Sequence, residues 1–292
     1  MTQLLDGKAL AAEIRSTLTT DIAAFTQKTG IHPQLVVIIV GDDPASHVYV
    51  NNKEKSALEI GMRSQVHRLP ADIPQDDLNR IIDDLNADKD VHGILVQMPL
   101  PKHLNEYQVI DRIHPNKDVD GFHTYNTGML HGAGAGKGNH LLPCTPYGCI
   151  LLLEKAGIDI AGKNAVVIGR SHIVGRPVAE LLLQRDATVT IAHSRTKNLP
   201  ELCAGADIIV AAVGRSHFVK VDWVKQGAVI VDVGINRIIL DDGKSKLTGD
   251  VDFDAVREKA SYITPVPGGV GPMTITCLLQ NTLQAAKIQT HS

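Results

Sequence analysis

Apolar positions along the chain fall into two alternating rhythms. Leu10, Ile14, Leu18 and Ile22 recur every four residues behind Asp6, the spacing of one helix face after a residue suited to cap it. Leu35–Val40 (LVVIIV) is then an unbroken aliphatic run between Pro33 and Gly41, which predicts a strand buried on both faces. Pro44 opens a second helix that runs to about Ile60 and stops at Gly61. A helix over Ile73–Leu85 precedes a strand over Gly93–Gln97 (GILVQ). Strands alternating with helices predict a parallel sheet covered by helices.

The rhythm lapses at Gly128–Leu142 (GMLHGAGAGKGNHLL), which is dense in glycine and has no apolar period. It reads as a flexible connector and a domain boundary. Alternation then resumes with a helix over Pro146–Ala156, a strand over Ala165–Ile168 and a helix over Val174–Leu183. Three short aliphatic strands follow, at Thr188–Ala192, Ile208–Ala212 and Val229–Val233. The last helix, Pro272–Ala286, has no strand after it and is expected to pack back on the first domain. The predicted fold class is therefore α/β in two domains. An N-terminal parallel-sheet domain spans 1–142 and is completed by the C-terminal helix 273–292; a second, Rossmann-like domain spans 143–272.

Length agrees with this division, since 292 residues exceed the usual single domain. With 43% apolar and 21% charged residues the chain is of ordinary globular composition. A net charge of −3 without runs of like charge points away from nucleic acid and from membrane surfaces. The start, MTQLLDGKALAAEIR, lacks the pattern of a secretory signal, and no apolar run approaches the ~18 residues of a membrane span. A cytoplasmic protein is expected. Cys144, Cys149, Cys203 and Cys277 form no CxxC pair, so reduced thiols and no metal site are expected.

Candidate chemistry sits at two places. Ala165–Pro177 (AVVIGRSHIVGRP) is a strand, a glycine turn and a helix, with Gly169 allowing the sharp turn and Gly175 a close helix approach. A helix start of this kind favours an anion such as pyrophosphate. The spacing is not GxGxxG, and an ordinary tight turn would also fit it. After the next strand, NAD sites usually carry an acidic residue for the ribose 2′-OH. Here His193-Ser194-Arg195-Thr196 holds no carboxylate, and Ser194 and Arg195, with Arg170 from the first turn, suit a 2′-phosphate. NADP is thus expected over NAD.

The second place is the helix after the first strand. Tyr49 and Lys53 lie four apart and share a helix face. A lysine in a cleft serves as an acid or base once desolvation lowers its pKa, although the spacing also fits a surface lysine beside a half-buried tyrosine. Gln97 closes the strand GILVQ, where parallel sheets place their ligands, and a neutral amide there would orient a lysine without keeping it charged. Asp120, in Asp118-Val119-Asp120-Gly121, would accept two hydrogen bonds from a pterin-like donor pair; Asp-Gly is equally plain turn chemistry.

These segments together resemble the bifunctional methylenetetrahydrofolate dehydrogenase/methenyltetrahydrofolate cyclohydrolases. The resemblance is carried by Tyr49 to Lys53, Val96-Gln97-Met98-Pro99-Leu100-Pro101, Lys117 to Gly121 (KDVDG), Pro143 to Pro146 (PCTP), Gly169-Arg170-Ser171 with Val174-Gly175, and Pro265 to Thr274 (PVPGGVGPMT), in the family order over nearly the whole chain. PGGVGPMT is the most specific of them. The resemblance implies that Lys53 transfers protons in the cyclohydrolase step with Gln97 as its partner. It implies further that Tyr49 lines the folate site, that Asp120 holds the pterin, and that Val96 and Met98 flank the site. Pro267, Gly268, Gly269, Val270 and Gly271 would form a close-approach wall. Gly169, Arg170, Ser171, Ser194 and Arg195 would bind NADP, with Ile235 near the nicotinamide. A homodimer acting on tetrahydrofolate substrates is implied as well. A monofunctional NAD(P)-dependent dehydrogenase and a non-catalytic folate or nucleotide binder are the competing readings, and the joint presence of Tyr49, Lys53, Gln97 and Asp120 weighs against both.

Overall fold

The computed structural model describes residues 2–132, 140–239 and 243–290, with the Ala45 side chain left aside. The chain begins with β1 (Gln3–Leu4), α1 (Gly7–Thr29), β2 (Gln34–Val40), α2 (Pro44–Glu59), β3 (Arg63–Leu69), α3 (Gln75–Ala87) and β4 (Gly93–Val96). It continues through α4 (Glu106–Arg112), α5 (Thr124–Gly132), α6 (Cys144–Lys155), β5 (Asn164–Ile168), α7 (Gly175–Leu183), β6 (Thr188–Ala192) and α8 (Leu199–Ala204). The last elements are β7 (Ile208–Ala211), β8 (Val229–Asp232), β9 (Asn236–Ile239), β10 (Ser245–Thr248), α9 (Phe253–Arg257), β11 (Tyr262–Ile263) and α10 (Val270–Thr290).

Two compact units result. Among the described residues, one gathers 13–132, 140–144 and 275–290, and the other 2–12 and 145–274. The first holds a parallel sheet in the order β3-β2-β4. Its centre is β2, whose aliphatic run is almost wholly buried, as burial on two faces requires. Val36, Ile38 and Val40 pack with Ile94 and Val96 of β4 against Leu78, Ile82 and Leu85 of α3 and Val109 of α4. The C-terminal part of α10 belongs to this unit and reaches β4, where a Cβ on Gly93 would lie 3.3 Å from Thr282 of α10 and 2.6 Å from Val119.

The other unit is built on a six-stranded sheet, β1-β11-β8-β7-β5-β6, parallel throughout, with β9 and β10 as a separate antiparallel pair. One core cluster runs from Val166 and Ile168 through Ile209, Ala211 and Ile230 to Val251 and Val256.

Several expectations needed correction. β3 escaped notice because RSQVHRL, an edge strand, alternates weakly and stays half-exposed. β1 is only two residues long and is a strand by virtue of pairing with β11, so residues 2–12 group with 145–274 and not with the stretch that follows them. Part of the presumed connector is helical: α5 covers Thr124–Gly132 and buries Asn126 and Leu130. Asn126 Nδ2 donates to Pro115 O and to Asp118 Oδ2, and those bonds, rather than apolar period, secure the helix. Of the rest of the connector, residues 133–139 lie outside the described residues, and 140–142 belong to no helix or strand. No helix of the described residues is long and apolar enough to cross a membrane.

Candidate active site

The first site grows from α2. Asp43 caps this helix by accepting from Ser46 N, and Pro44 enters its first turn, so the register of Tyr49 and Lys53 follows from the cap. Lys53 is 7% exposed, and its Nζ donates to Gln97 Oε1 at 2.9 Å. Gln97 follows β4, where its backbone N–H still bonds Ile38 O, and its side-chain amide is oriented by Nε2 donating to Met98 O at 2.7 Å. Val96 beside it is buried, Met98 half-buried. Tyr49 remains 38% exposed, and its partial burial pushes the phenol pKa up.

Each residue of Lys117–Gly121 contributes to this site in its own way. Lys117 Nζ donates to the carbonyls of Leu85, Asn86 and Asp88 and so closes the carboxyl end of α3. Asp118 is buried and accepts from His123 N and Asn126 Nδ2. Val119 O accepts from Asn281 Nδ2 of α10 and from the Cys144 thiol. Gly121 has φ +73°, and a Cβ there would stand 2.6 Å from the Leu142–Pro143 peptide. The segment is thereby held from four sides, and Asp120 is carried into the neighbourhood of Lys53.

Burial dominates the electrostatics. It lowers the Lys53 pKa, while nearby Asp120 and then Cys144 draw it partly back up. Burial likewise pushes Asp120 up to about 6, with Lys53 opposing and Asp118 adding to the rise. The Cys144 thiol is pushed far up and stays protonated. The arrangement is a buried lysine that desolvation makes easier to deprotonate, aimed by an amide and flanked by an acid whose own pKa is pushed up to about 6.

The second site lies at the carboxyl ends of β5 to β8. Gly169 leaves β5 with φ +129°, and a Cβ on it would be 2.2 Å from Ala212 O. Gly175 meets the Gly169–Arg170 backbone, 2.3 Å from Gly169 O by the same measure, so it tightens the turn rather than the helix–sheet contact. Ser171 Oγ accepts from Val174 N and Gly175 N at the start of α7. In the register of β5 and β6, Ile168 pairs with Ala192, so Arg170 and Ser194 leave adjacent strands two residues past a paired position. Arg170, Ser194 and Arg195 are exposed. His193 N donates to Thr196 Oγ1 and Arg195 N to His193 Nδ1, which folds the second turn upon itself.

The remaining expected residues belong to the same unit. Ile235 is 44% exposed between Gly234 and Asn236. Gly268 has φ +110°, and its carbonyl accepts from Lys8 N. A Cβ on Gly269 would lie 2.7 Å from Pro265 O and 2.7 Å from Thr264 Cβ, so protein packing alone demands glycine at 269; one on Gly7 would lie 1.7 Å from Gly269 O, which demands glycine at 7. Gly271 differs, since a Cβ there would make only an ordinary 3.6 Å contact with Ile235.

Residues 5–120 match the family described as tetrahydrofolate dehydrogenase/cyclohydrolase, catalytic domain, and residues 143–290 match its NAD(P)-binding domain. The chain belongs to the tetrahydrofolate dehydrogenase/cyclohydrolase family. A relative in Paramagnetospirillum magneticum, named bifunctional protein FolD, is 54% identical over 97% of this chain and 95% of that protein. Among solved structures, the bifunctional FolD enzyme of Campylobacter jejuni is 48% identical, with a TM-score of 0.93 over 99% of both chains. The Trypanosoma brucei methylenetetrahydrofolate dehydrogenase-cyclohydrolase, solved with NADP cofactor and inhibitor, is 39% identical, with a TM-score of 0.94 over 100% of this chain and 99% of that one.

Within this family fold, several residues of the two sites gave no usable sequence signal. Asn281 is one polar residue in the predicted last helix, and only the fold brings it to Val119 O and Leu142 O. Asp118 reads as half of a turn. Asp232 lies inside the expected aliphatic strand Val229–Val233, and Asp250 falls in a stretch with no predicted element. Their one trace is a nearby glycine: Gly234 two residues after Asp232 and Gly249 directly before Asp250.

Proposed function

We propose that the chain is a bifunctional one-carbon folate enzyme. It oxidises 5,10-methylenetetrahydrofolate to 5,10-methenyltetrahydrofolate with NADP and hydrolyses that product to 10-formyltetrahydrofolate. The observation that carries the reading is the buried Lys53–Gln97 pair beside Asp120. Hydride transfer from the methylene bridge needs no proton carrier, whereas hydrolysis of the methenyl product does.

The second site fits a dinucleotide. Gly169 and Gly175 let the two ends of the β5 turn close tightly on Ala212 and on each other, and the N-terminus of α7 favours an anion. Arg170, Ser194 and Arg195 supply donors and positive charge for a 2′-phosphate, with no carboxylate to repel it. When bound, NADP accepts the hydride from the methylene bridge of the substrate. The chain positions: Asp120 and Tyr49 orient the folate ring system, and Ile235 is the apolar contact at the hydride-transfer end. The Pro267–Gly271 turn is read as backbone that a ligand approaches closely, a reading supported at Gly271, where packing leaves room for a Cβ.

In the hydrolytic step, water adds to the methenyl carbon and neutral Lys53 takes one of its protons. As the carbinolamine collapses, the carbon–nitrogen bond breaks, the hydroxyl proton is lost as the formyl C=O forms, and the lysine delivers a proton to the departing ring nitrogen. The net release is one proton to solvent. Gln97 Oε1 keeps Nζ aimed throughout. The reading includes a cytoplasmic homodimer, checked by light scattering.

Purified protein supplied with methylenetetrahydrofolate is expected to reduce NADP in preference to NAD and to accelerate hydrolysis of added methenyltetrahydrofolate. Arg195→Ser is expected to narrow the NADP preference by about tenfold, the value of one charge-assisted phosphate contact; an unchanged NADP/NAD ratio would remove Arg195 from the cofactor site. A second result concerns pH. Asp120 raises the Lys53 pKa, so Asp120→Asn should let it fall further. The limb of the cyclohydrolase kcat profile that reports lysine deprotonation is then expected to move to lower pH, and a move upward would refute the coupling.

A further inference from the structure

Two buried carboxylates in the nucleotide-binding unit have no part in the steps above. Asp250 is 0% exposed, and its oxygens accept from four donors. Oδ2 takes Val213 N at 2.6 Å and Gly214 N at 2.9 Å; Oδ1 takes Arg215 N at 2.8 Å and Asn236 Nδ2 at 2.9 Å. Those donors lie in two different turns. Residues 213–215 follow β7 and residues 234–236 follow β8, strands paired in register with Ala211 opposite Asp232.

Asp232 steadies the arrangement from behind. Its Oδ1 accepts from Gly234 N and Asp250 N, and its Oδ2 from Val251 N. The neighbouring glycines are required by both carboxylates. A Cβ on Gly234 would lie 2.2 Å from Asp250 Oδ1, and one on Gly249 would lie 1.8 Å from Asp232 Oδ2. Burying a carboxylate is costly, and here the cost is met by backbone N–H groups of the turns that end two adjacent strands. In a doubly wound sheet those strand ends are where a dinucleotide lies.

We propose that Asp250 is a positioning residue for hydride transfer, its carboxylate holding the Val213–Arg215 turn and the turn that presents Ile235 at one fixed separation. The proposal rests on the reading of Ile235 as the contact at the nicotinamide end. Asp250 touches no substrate in this account. It acts through the two turns, and its loss displaces the nicotinamide end while the β5 and β6 turns still hold the other half of the cofactor.

The test is Asp250→Asn in the full chain, which keeps size and replaces one acceptor oxygen with an NH₂ group facing N–H donors. The expected dehydrogenase kcat is lower by about tenfold or more, the usual consequence of a misplaced reacting group. The NADP KM should rise less than kcat falls. Hydrolysis of added methenyltetrahydrofolate, which needs no hydride transfer, should stay within about twofold of the parent, as for independent sites. A parallel loss of both activities would reduce Asp250 to a folding residue and overturn the proposal, as would two unchanged activities. Should Asp250→Asn fail to unfold cooperatively, Asn236→Ala removes only one of the four donors; the same split, smaller, is expected, and its absence is equally fatal. If the parent protein itself shows no NADP-dependent turnover, the functional reading fails along with the proposal. Parent turnover with an unsplit variant overturns the proposal alone.

Discussion

Lys53→Met is expected to lower cyclohydrolase kcat by about 10²- to 10⁴-fold, the range contributed by a positioned proton-transferring group. Methionine keeps the length and apolar stem of the side chain and removes only the nitrogen. The pocket that buries Lys53 should therefore accept it, and the desolvation that lowers the lysine pKa no longer opposes folding. Dehydrogenase activity should persist in large part, because hydride leaves the methylene bridge without a proton passing through Nζ. The two rates, measured on the same preparation with methylenetetrahydrofolate and with added methenyltetrahydrofolate, separate the roles. Substantial hydrolysis retained by the variant would show that Lys53 is not the proton carrier, whatever its distance from Gln97.

Gly169→Ala is expected to cost about 3 kcal/mol or more and to abolish NADP binding. Two effects combine there. The backbone sits at φ +129°, where side chains are strained, and the new methyl would be forced to 2.2 Å from Ala212 O. A protein of this size should lose roughly 10 °C in Tm. Gly157→Ala is the control, since Gly157 has φ +68° but nothing within 4 Å of a Cβ. Only the conformational penalty, about 1 kcal/mol, applies to it. Equal losses in the two variants would mean that the approach of the β5 turn to Ala212 is not a constraint.

Much of the fold was legible because it is written locally. The helix behind Asp6, the buried run of β2, the Pro44 start of α2 and the matching strands β5 to β8 all follow from periodicity and capping, and Ala9 N indeed donates to Asp6 Oδ1. Elements stabilised by remote partners were not legible. β1 exists through β11, β3 through β2, and α5 through bonds from Asn126. The same division runs through the two sites. Tyr49 and Lys53 announce themselves by helical spacing and Gly169 by its place after a strand. Whether Lys53 is solvated or buried depends on what surrounds it.

By itself the sequence determined the α/β class, the two-domain plan, the family and the side chains available for chemistry, since all of these rest on local pattern and residue type. The tertiary structure decided the protonation of those side chains and the rigidity of their supports. It desolvates Lys53 and brings Asp120 near it, which sets both pKa values; it carries Asn281 to the backbone beside Asp120; and it folds Asp232 and Asp250 into buried acceptors for two turns. Burial and hydrogen bonding between distant residues depend on packing in three dimensions, and spacing along one chain carries no record of them.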